Sequence, residues 1–369
     1  YDDFGRETSV TYPDNTRKSI ALSWETDGSD GIYRKTQETT GLPKSAIVFD
    51  ALNRDVCTSE RLLNGKELVV LKQYDDDGHL SSVSNPYDKS VPPFWKSYDY
   101  DIYGRVTSCT ESSTAVTKYE YDGNSVTTTS KGITQTQSYD ALGNLISVTD
   151  SAGTIACQFT PDGNIVSITA PGNITTRFGY DTYRRRIRLV DPSMGTTTYE
   201  YDDSGNLSKE TDANGNVKQY EYDQYDRLVK STCPEFTTSY KYNTLGDLVE
   251  VATSNGTGKT ISYDDFGRVR QWKQTVQDGK WLQKDYAYAD GNVSSIEYTS
   301  QAGLISKENY VYVDGSLKEV NLNGTTKVYG IETLSSHGTA SSIVSGNITR
   351  KYLYTPAGLL SGRSVASPG

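Results

Sequence analysis

The chain has only two histidines, His79 and His337, among 369 residues. Imidazole is the side chain that exchanges a proton most readily near neutral pH, so these two are where acid–base or nucleophilic chemistry would begin. His79 directly follows a glycine in Tyr74-Asp75-Asp76-Asp77-Gly78-His79-Leu80, and His337 lies in Ser335-Ser336-His337-Gly338. Neither has a neighbour that would orient it as the base for a nucleophile; both read as turn or loop residues. Carboxylates are plentiful and often doubled, as in Asp2-Asp3, Asp202-Asp203 and Asp264-Asp265. Glycoside hydrolysis needs two carboxyls facing one cleft at about 5–10 Å with separated pKa values. Here the acids return at one place in a repeated unit, which points to a turn-building duty. Asp212-Ala213-Asn214-Gly215-Asn216 resembles the opening of a calcium loop. Such a loop needs Gly at its sixth position and Glu at its twelfth, where this chain has Val217 and Asp223. The full phosphate-cradling pattern, Gly-x4-Gly-Lys-Ser/Thr, does not occur. These patterns lead us to expect no catalytic residue, no metal ligand set and no cofactor.

Three weaker signals remain. The run Arg184-Arg185-Arg186-Ile187-Arg188 is the one local basic cluster. On a strand, Arg184, Arg186 and Arg188 share a face, which reads as solvated and paired with nearby acids or, alternatively, as a patch for an anionic ligand or partner. Trp272 and Trp281 flank a turn over Gln277-Asp278-Gly279. They either pack across the hairpin or, if exposed, stack on a sugar ring, which makes them the chain's ligand-stacking candidates. Cys57, Cys109, Cys157 and Cys233 lie 52, 48 and 76 residues apart, which is neither a metal spacing nor a dense disulfide framework. They are expected to be unpaired strand residues.

The elements that would carry these residues announce themselves by recurrence. Tyr-Asp occurs twelve times, and the aromatic anchors Tyr139, Phe159, Tyr180, Tyr201, Tyr222, Tyr242 and Tyr263 stand 20 or 21 residues apart. A period of that size marks one small supersecondary unit, copied and stacked. In residues 197–218, Tyr199 and Tyr201 alternate with Glu200, as a strand requires. Asp202-Asp203-Ser204-Gly205 then makes a turn. Asp accepts from backbone N–H groups ahead of it, and Gly takes a positive φ at little cost, closing a type I turn with a bulge. Asn206–Glu210 returns as a second strand, and Asp212-Ala213-Asn214-Gly215 makes the next turn. The anchors are therefore Tyr139, Asp140 and Gly143; Tyr201, Asp202 and Gly205; Tyr222 and Asp223; Tyr242 and Gly246; Tyr263, Asp264 and Gly267. Asn53 and Asp226 replace the glycine in two units, and both tolerate a left-handed backbone. Arg184 in that slot predicts a different turn. Gly123, Gly291 and Gly315 come earlier and predict shortened turns. Gly, Asn and Asp break every window before a helical stripe can build. Between residues 7 and 48 the repeat is faint, though Ser19–Trp24 and Ser45–Phe49 still read as strands.

The fold class that follows is all-β: a repeat array of antiparallel hairpins forming a curved or spiral sheet or a partial hollow shell. It runs as one array over 1–369, irregular over 1–97 and regular over 98–360. Composition agrees. Apolar residues make up 34%, with one Met but 29 Tyr, so a thin aromatic layer is expected rather than a thick core. A net charge of −10 argues against nucleic-acid binding, which needs a basic footprint. No window of about 20 apolar residues offers a membrane span. Tyr1 already lies inside a repeat, so the chain is expected to be a fragment of a larger protein, and the absence of a signal peptide says nothing of the parent's destination.

The pattern Tyr-x-Tyr-Asp-x-x-Gly-[Asn/Arg]-Leu, followed about ten residues later by Asp-x-x-Gly, resembles the YD repeat. That unit belongs to rearrangement-hotspot (Rhs) proteins, wall-associated bacterial proteins, toxin-complex C components and teneurins. The resemblance covers most of the chain and is clearest from Tyr98 to Gly358. It implies a hairpin ribbon wound in a spiral, which in complete relatives closes around a C-terminal toxin or other protein segments. The chain departs from the full pattern at both ends: it lacks the Gly/Pro-rich segment with self-cleavage aspartates and any toxin domain after Gly358. An open sheet or partial shell is expected.

Three classes of function stand side by side. The first is a non-catalytic structural shell segment that encapsulates or scaffolds a toxin or effector polypeptide, secreted or at a bacterial cell surface. The second is an extracellular adhesion module holding carbohydrate or a cell-surface partner. An enzyme ranks last, because no catalytic constellation survives the turn-building explanation.

Overall fold

The computed structural model describes residues 1–24, 32–112 and 115–367. These residues hold 33 strands and no helix. Among the described residues most strands follow one another through short turns, the longest connection running from Ser84 to Trp95, and each registered pair is antiparallel and consecutive in the chain. The fold is thus an all-β array of hairpins. Backbone contacts divide it into two units: Tyr1–Tyr98 with Ser262–Lys273 and Trp281–Gly369, and Asp99–Ile261 with Gln274–Lys280. The first is called unit 1 and the second unit 2.

One hairpin of unit 2 shows why these residues fold so. Gly195–Tyr201 pairs with Leu207–Thr211: Tyr199 faces Glu210, Glu200 faces Lys209 and Tyr201 faces Leu207, with a register shift between Glu200 and Tyr201. Gly205 N–H donates to the Asp202 carbonyl at 3.0 Å, and Asp202 N–H donates to the Asn206 carbonyl at 2.9 Å. Gly205 sits at φ +93°, so the turn closes without a Cβ penalty. The shift is a bulge: one extra residue on the return strand, which sharpens the twist and re-aims the side chains after it. The same shift recurs at Ser138/Tyr139, Gly179/Tyr180 and Glu221/Tyr222. Asn53 and Asp226 do fill the glycine slot, at φ +62° and +58°. The shortened turns are two residues long, as at Asp290-Gly291, where Ala289 faces Asn292.

Three sequence expectations need correction. Arg184 does not make a different turn. It adopts φ +65°, donates its N–H to the Asp181 carbonyl at 3.0 Å and so occupies the glycine slot itself; its backbone strain is carried by the paired strands on either side. Arg184, Arg186 and Arg188 do not share a face. Arg184 lies in the turn, and the bulge at Ile187 turns Arg186 toward Tyr199, 4.8 Å from the ring centroid, while Arg188 faces Gly179 on the other side of the sheet. Cys233 lies just past the strand Leu228–Thr232 rather than within one, although all four cysteines are free thiols.

Burial is thin throughout. Only eight apolar side chains among the described residues are buried, so no thick core forms in either unit. The one cluster is in unit 1: Val48, Cys57, Val69 and Tyr87, with Val56 and Leu71 packed against it. Stability must therefore come from backbone ladders and from side-chain contacts passed from hairpin to hairpin.

Candidate functional site

The recurrent site is the node where an anchor Tyr-Asp meets the neighbouring hairpin. Asp223 Oδ1 accepts from Tyr225 N–H at 2.9 Å and Arg227 N–H at 3.1 Å, and its Oδ2 accepts from Arg227 Nε at 2.8 Å. Asp264 does the same with Phe266 and Arg268, at 3.0, 2.9 and 2.8 Å. Where Asn follows the glycine, its amide replaces the guanidinium: Asn144 Nδ2 donates to Asp140 Oδ2 at 2.9 Å. The carboxylate thus gathers the donors of a turn that bends away from its own strand. These donors also set its acidity. The Arg227 side chain first, and its N–H with that of Tyr225, hold Asp223 below the usual carboxylate value. The Asn144 amide does this for Asp140.

The tyrosine completes the node. Tyr222 O–H donates to the Leu207 carbonyl at 2.9 Å, Tyr201 to Arg186 at 2.8 Å, Tyr180 to Ile165 at 2.8 Å and Tyr242 to Leu228 at 2.9 Å. Each acceptor opens the return strand of the preceding hairpin. Tyr139 is an exception and donates to Gln137 Oε1 at 2.9 Å. The arginine of one turn lies over the tyrosine of the next unit: Arg185 over Tyr201 at 4.7 Å, Arg227 over Tyr242 at 4.6 Å and Arg268 over Tyr288 at 4.4 Å. A guanidinium held by its own aspartate and pressed on a neighbour's ring face makes a cation–π contact. One polar chain, carboxylate to guanidinium to ring to carbonyl, therefore ties successive hairpins. The first acid of these turns is taken up by this bonding at Asp140, Asp223 and Asp264.

Unit 1 contains a second arrangement that no sequence pattern announced. Turns of its early hairpins meet turns of its late ones. Asn292 Nδ2 donates to the Gly41 carbonyl at 2.7 Å, Arg61 pairs with Asp314 at 2.9 Å, Asp88 N–H donates to the Ser336 carbonyl at 2.7 Å and Asn85 Nδ2 donates to the Ala357 carbonyl at 2.6 Å. The fit is close: a Cβ on Gly41 would lie 2.0 Å from the Asp290 carbonyl oxygen, and one on Gly315 would lie 2.2 Å from the Leu42 backbone. We call this the seam. Its residues are about 250 positions apart in the chain, so only the folded array could reveal them.

The other candidates are placed as follows. Lys284 lies over Trp272 at 5.4 Å and Lys273 over Trp281 at 4.2 Å, so an ammonium already meets each indole. His79 donates its N–H to Asp75 Oδ1 at 2.7 Å, in the turn position of the repeat. His337 Nε2 lies 3.0 Å from the Pro356 carbonyl, which makes it part of the seam's last turn. Asp212 Oδ1 accepts from Asn214 and Asn216 N–H groups at 2.9 and 2.8 Å.

Comparison with known proteins bears on this node. The family profile described as Teneurin YD-shell matches residues 32–191, and the RHS Repeat matches residues 188–217 and 201–235. The resemblance to the Rhs/YD-repeat family is thereby shown over residues 32–235. No curated protein matches it in sequence. Among solved structures, the YD-repeat chain resembles that of the TcdB2–TccC3 crystal structure with a TM-score of 0.69 at 19% identity, covering 100% of this chain and 22% of that one. The same fold appears in TcdB2–TccC3–Cdc42, with a TM-score of 0.70 at 19% identity over 100% and 21% of the two chains. It appears again in a Photorhabdus luminescens Tc holotoxin pore with mutated TccC3, with a TM-score of 0.68 at 18% identity over 100% and 21%. The YD-repeat chain therefore spans about a fifth of the length of the solved chains it matches. At these identities the likeness concerns the fold.

Proposed function

We propose that this chain is a non-catalytic wall segment, part of a YD-repeat shell that encloses or scaffolds a polypeptide cargo. The observation that carries the reading is the node. In the regular units the turn acid holds its arginine, the arginine covers the next ring and the anchor hydroxyl bonds the preceding hairpin, as at Asp223, Arg227 and Tyr242, which leaves these groups a holding function rather than a reactive one. The similarity to toxin-complex chains favours a toxin or effector as cargo, and it favours a secreted or surface-exposed parent. No helix among the described residues is long and apolar enough to cross a membrane.

The test has two arms. Small-angle scattering of the chain should give a radius of gyration above the ~21 Å of a compact globule of this length. A protease-sensitive, unfolded polypeptide tethered to the C-terminus should be cleaved at least tenfold more slowly than the same polypeptide free. Equal cleavage rates would remove the containment reading.

One observation favours a second reading, an extracellular module for carbohydrate or a protein partner. Trp24 is 76% exposed and stands edge-on to Tyr33, which stacks on Phe49 at 4.8 Å. These rings border a groove of about 1050 Å³ that also contains Arg6, Lys18 and Lys35. Glycan-array binding that is lost in Trp24→Ala would support this reading over containment.

A further inference from the structure

The solvent face of unit 2 follows a rule of its own. In each Tyr-x-Tyr strand the middle residue points away from the rings and meets its cross-strand partner. Glu200 pairs with Lys209 at 2.8 Å, Glu221 with Lys230 at 2.7 Å and Lys241 with Glu250 at 2.9 Å. Gln158 accepts from Ser167 at 2.9 Å in the uncharged version. Glu120 faces Thr127 without an ion pair among the described residues, and one unit lacks the middle side chain altogether. Phe178-Gly179-Tyr180 places glycine at the middle position, directly opposite Arg188. Among the units that keep this aromatic-x-Tyr form, no other has glycine there. Arg188 is exposed and has no ion pair among the described residues. Two residues back from Gly179 stands Arg177, facing Ser167 on one side and Val190 on the other, also exposed and also without an ion pair there. Thr198 faces Arg188 from the next strand.

Two features make this more than a charged surface. Glycine inside a strand weakens it, and it is characteristically found where something approaches the backbone closely. Here it removes the polar side chain that the adjacent units carry, Gln158 and Glu200, and lets Arg188 pack so close to the bare backbone that a Cβ on Gly179 would lie 3.3 Å from the Arg188 Cβ, leaving the space beyond it free between two cations. Its φ is not in the left-handed region, so the turn geometry does not require it. The second feature is spacing. Diagonal neighbours on adjacent strands have Cα atoms about 7–8 Å apart, so two long arginines at that spacing can converge on one oxyanion and offer it several N–H donors. The other arginines of the basic run are already used: Arg184 pairs with Asp162 at 2.9 Å and Arg185 with Asp181 at 2.7 Å.

We propose that Arg177 and Arg188, with the space left by Gly179 and the hydroxyl of Thr198, form a binding notch for a tetrahedral dianion, either inorganic phosphate or a phosphate monoester. The two arginines would each face one pair of its oxygens while the missing side chain admits the rest. This inference does not depend on the containment reading, because the notch uses the face opposite the anchor rings.

Phosphorus-31 NMR of the full chain, titrated at fixed ionic strength with inorganic phosphate and separately with phenyl phosphate, tests it. Both probes should broaden on binding if the notch takes any phosphoryl dianion. Broadening by phenyl phosphate alone would assign it to monoesters, and by phosphate alone to the free ion. Arg188→Gln and Arg177→Gln should each weaken binding at least tenfold. Gly179→Ala should change it less than threefold, whereas Gly179→Glu, which restores the acid found in other units, should weaken it at least tenfold. Circular dichroism confirms that each variant is folded. Neither probe broadening beyond a chloride control, or both arginine variants binding as the parent does, would overturn the proposal.

Discussion

At the scale of single residues, the node makes separable demands on Tyr and Asp. Tyr222→Phe keeps the ring and removes one bond, from its hydroxyl to the Leu207 carbonyl at 2.9 Å. A neutral hydrogen bond is worth about 1 kcal/mol net, so urea unfolding should show a loss of that size with an unchanged slope. Asp223→Ala should lose more than Asp223→Asn, because the chain already uses asparagine in this role: Asn243 Oδ1 accepts from Leu245 and Asp247 N–H groups at 3.0 and 2.8 Å. Equal losses for Ala and Asn would remove the turn-building role given to the carboxylate. This level was the most legible in the sequence. The type and place of Tyr, Asp and Gly follow from local backbone needs, and so they repeat where the geometry repeats. Arg184 was misread because propensity alone disfavours a bulky residue at positive φ, whereas two paired strands impose the turn whatever fills the slot. The faces of Arg186 and Arg188 were misread because a bulge breaks the alternation on which face counting relies.

At the scale of hairpins, the seam and the phenol cluster allow two further tests. Gly315 and Gly132 each stand second in a two-residue turn, at φ +76° and +78°. A Cβ on Gly315 would strike the Leu42 backbone, while a Cβ on Gly132 meets nothing within 4 Å. Both alanine variants carry the left-handed penalty of about 1–2 kcal/mol. Only Gly315→Ala should also separate the seam, losing at least twice as much stability and raising hydrogen exchange at Gly41 and Leu42. Tyr298 and Tyr310 donate to one carboxylate oxygen of Glu308, at 3.1 and 2.7 Å. Burial first, then the Glu308 bond and charge, push the Tyr298 phenol up to about 12 and that of Tyr310 up as well. In the unfolded chain a phenol ionises near 10. The stability these groups contribute is therefore complete below about pH 10 and fades as pH rises toward 12. Glu308→Gln should shrink that alkaline loss, read as the midpoint of pH-induced unfolding. Hairpins were visible in the sequence, but the seam was not: its contacts join turns of ordinary composition, and nothing local distinguishes Gly41 or Gly315 from glycines that touch nothing.

At the scale of the whole molecule, many turn acids act in the same direction. Asp140, Asp212 and Asp223 are each held below the usual carboxylate range by hydrogen bonds from the residue four ahead. Their folded forms stay ionised while the unfolded chain begins to take up protons near pH 4. The stability they contribute is present above that pH and is lost as pH falls through the lowered native values. The thermal unfolding midpoint should therefore fall steeply below about pH 4, and Asp223→Asn should flatten the decline by one such group. An acid profile unchanged in that variant would remove the carboxylate from the account. Residues 7–48 were hardest to read, since their strands lack the Tyr-Asp punctuation, yet Ser45–Phe49 was found with its observed ends. The thinness of the interior has a consequence for how such a chain changes over generations. In unit 2, which has no shared centre to fill, adding or deleting one complete hairpin disturbs little beyond its two immediate neighbours. Gene duplication could therefore lengthen or shorten the array in whole steps, so its size is free to follow whatever it must fit.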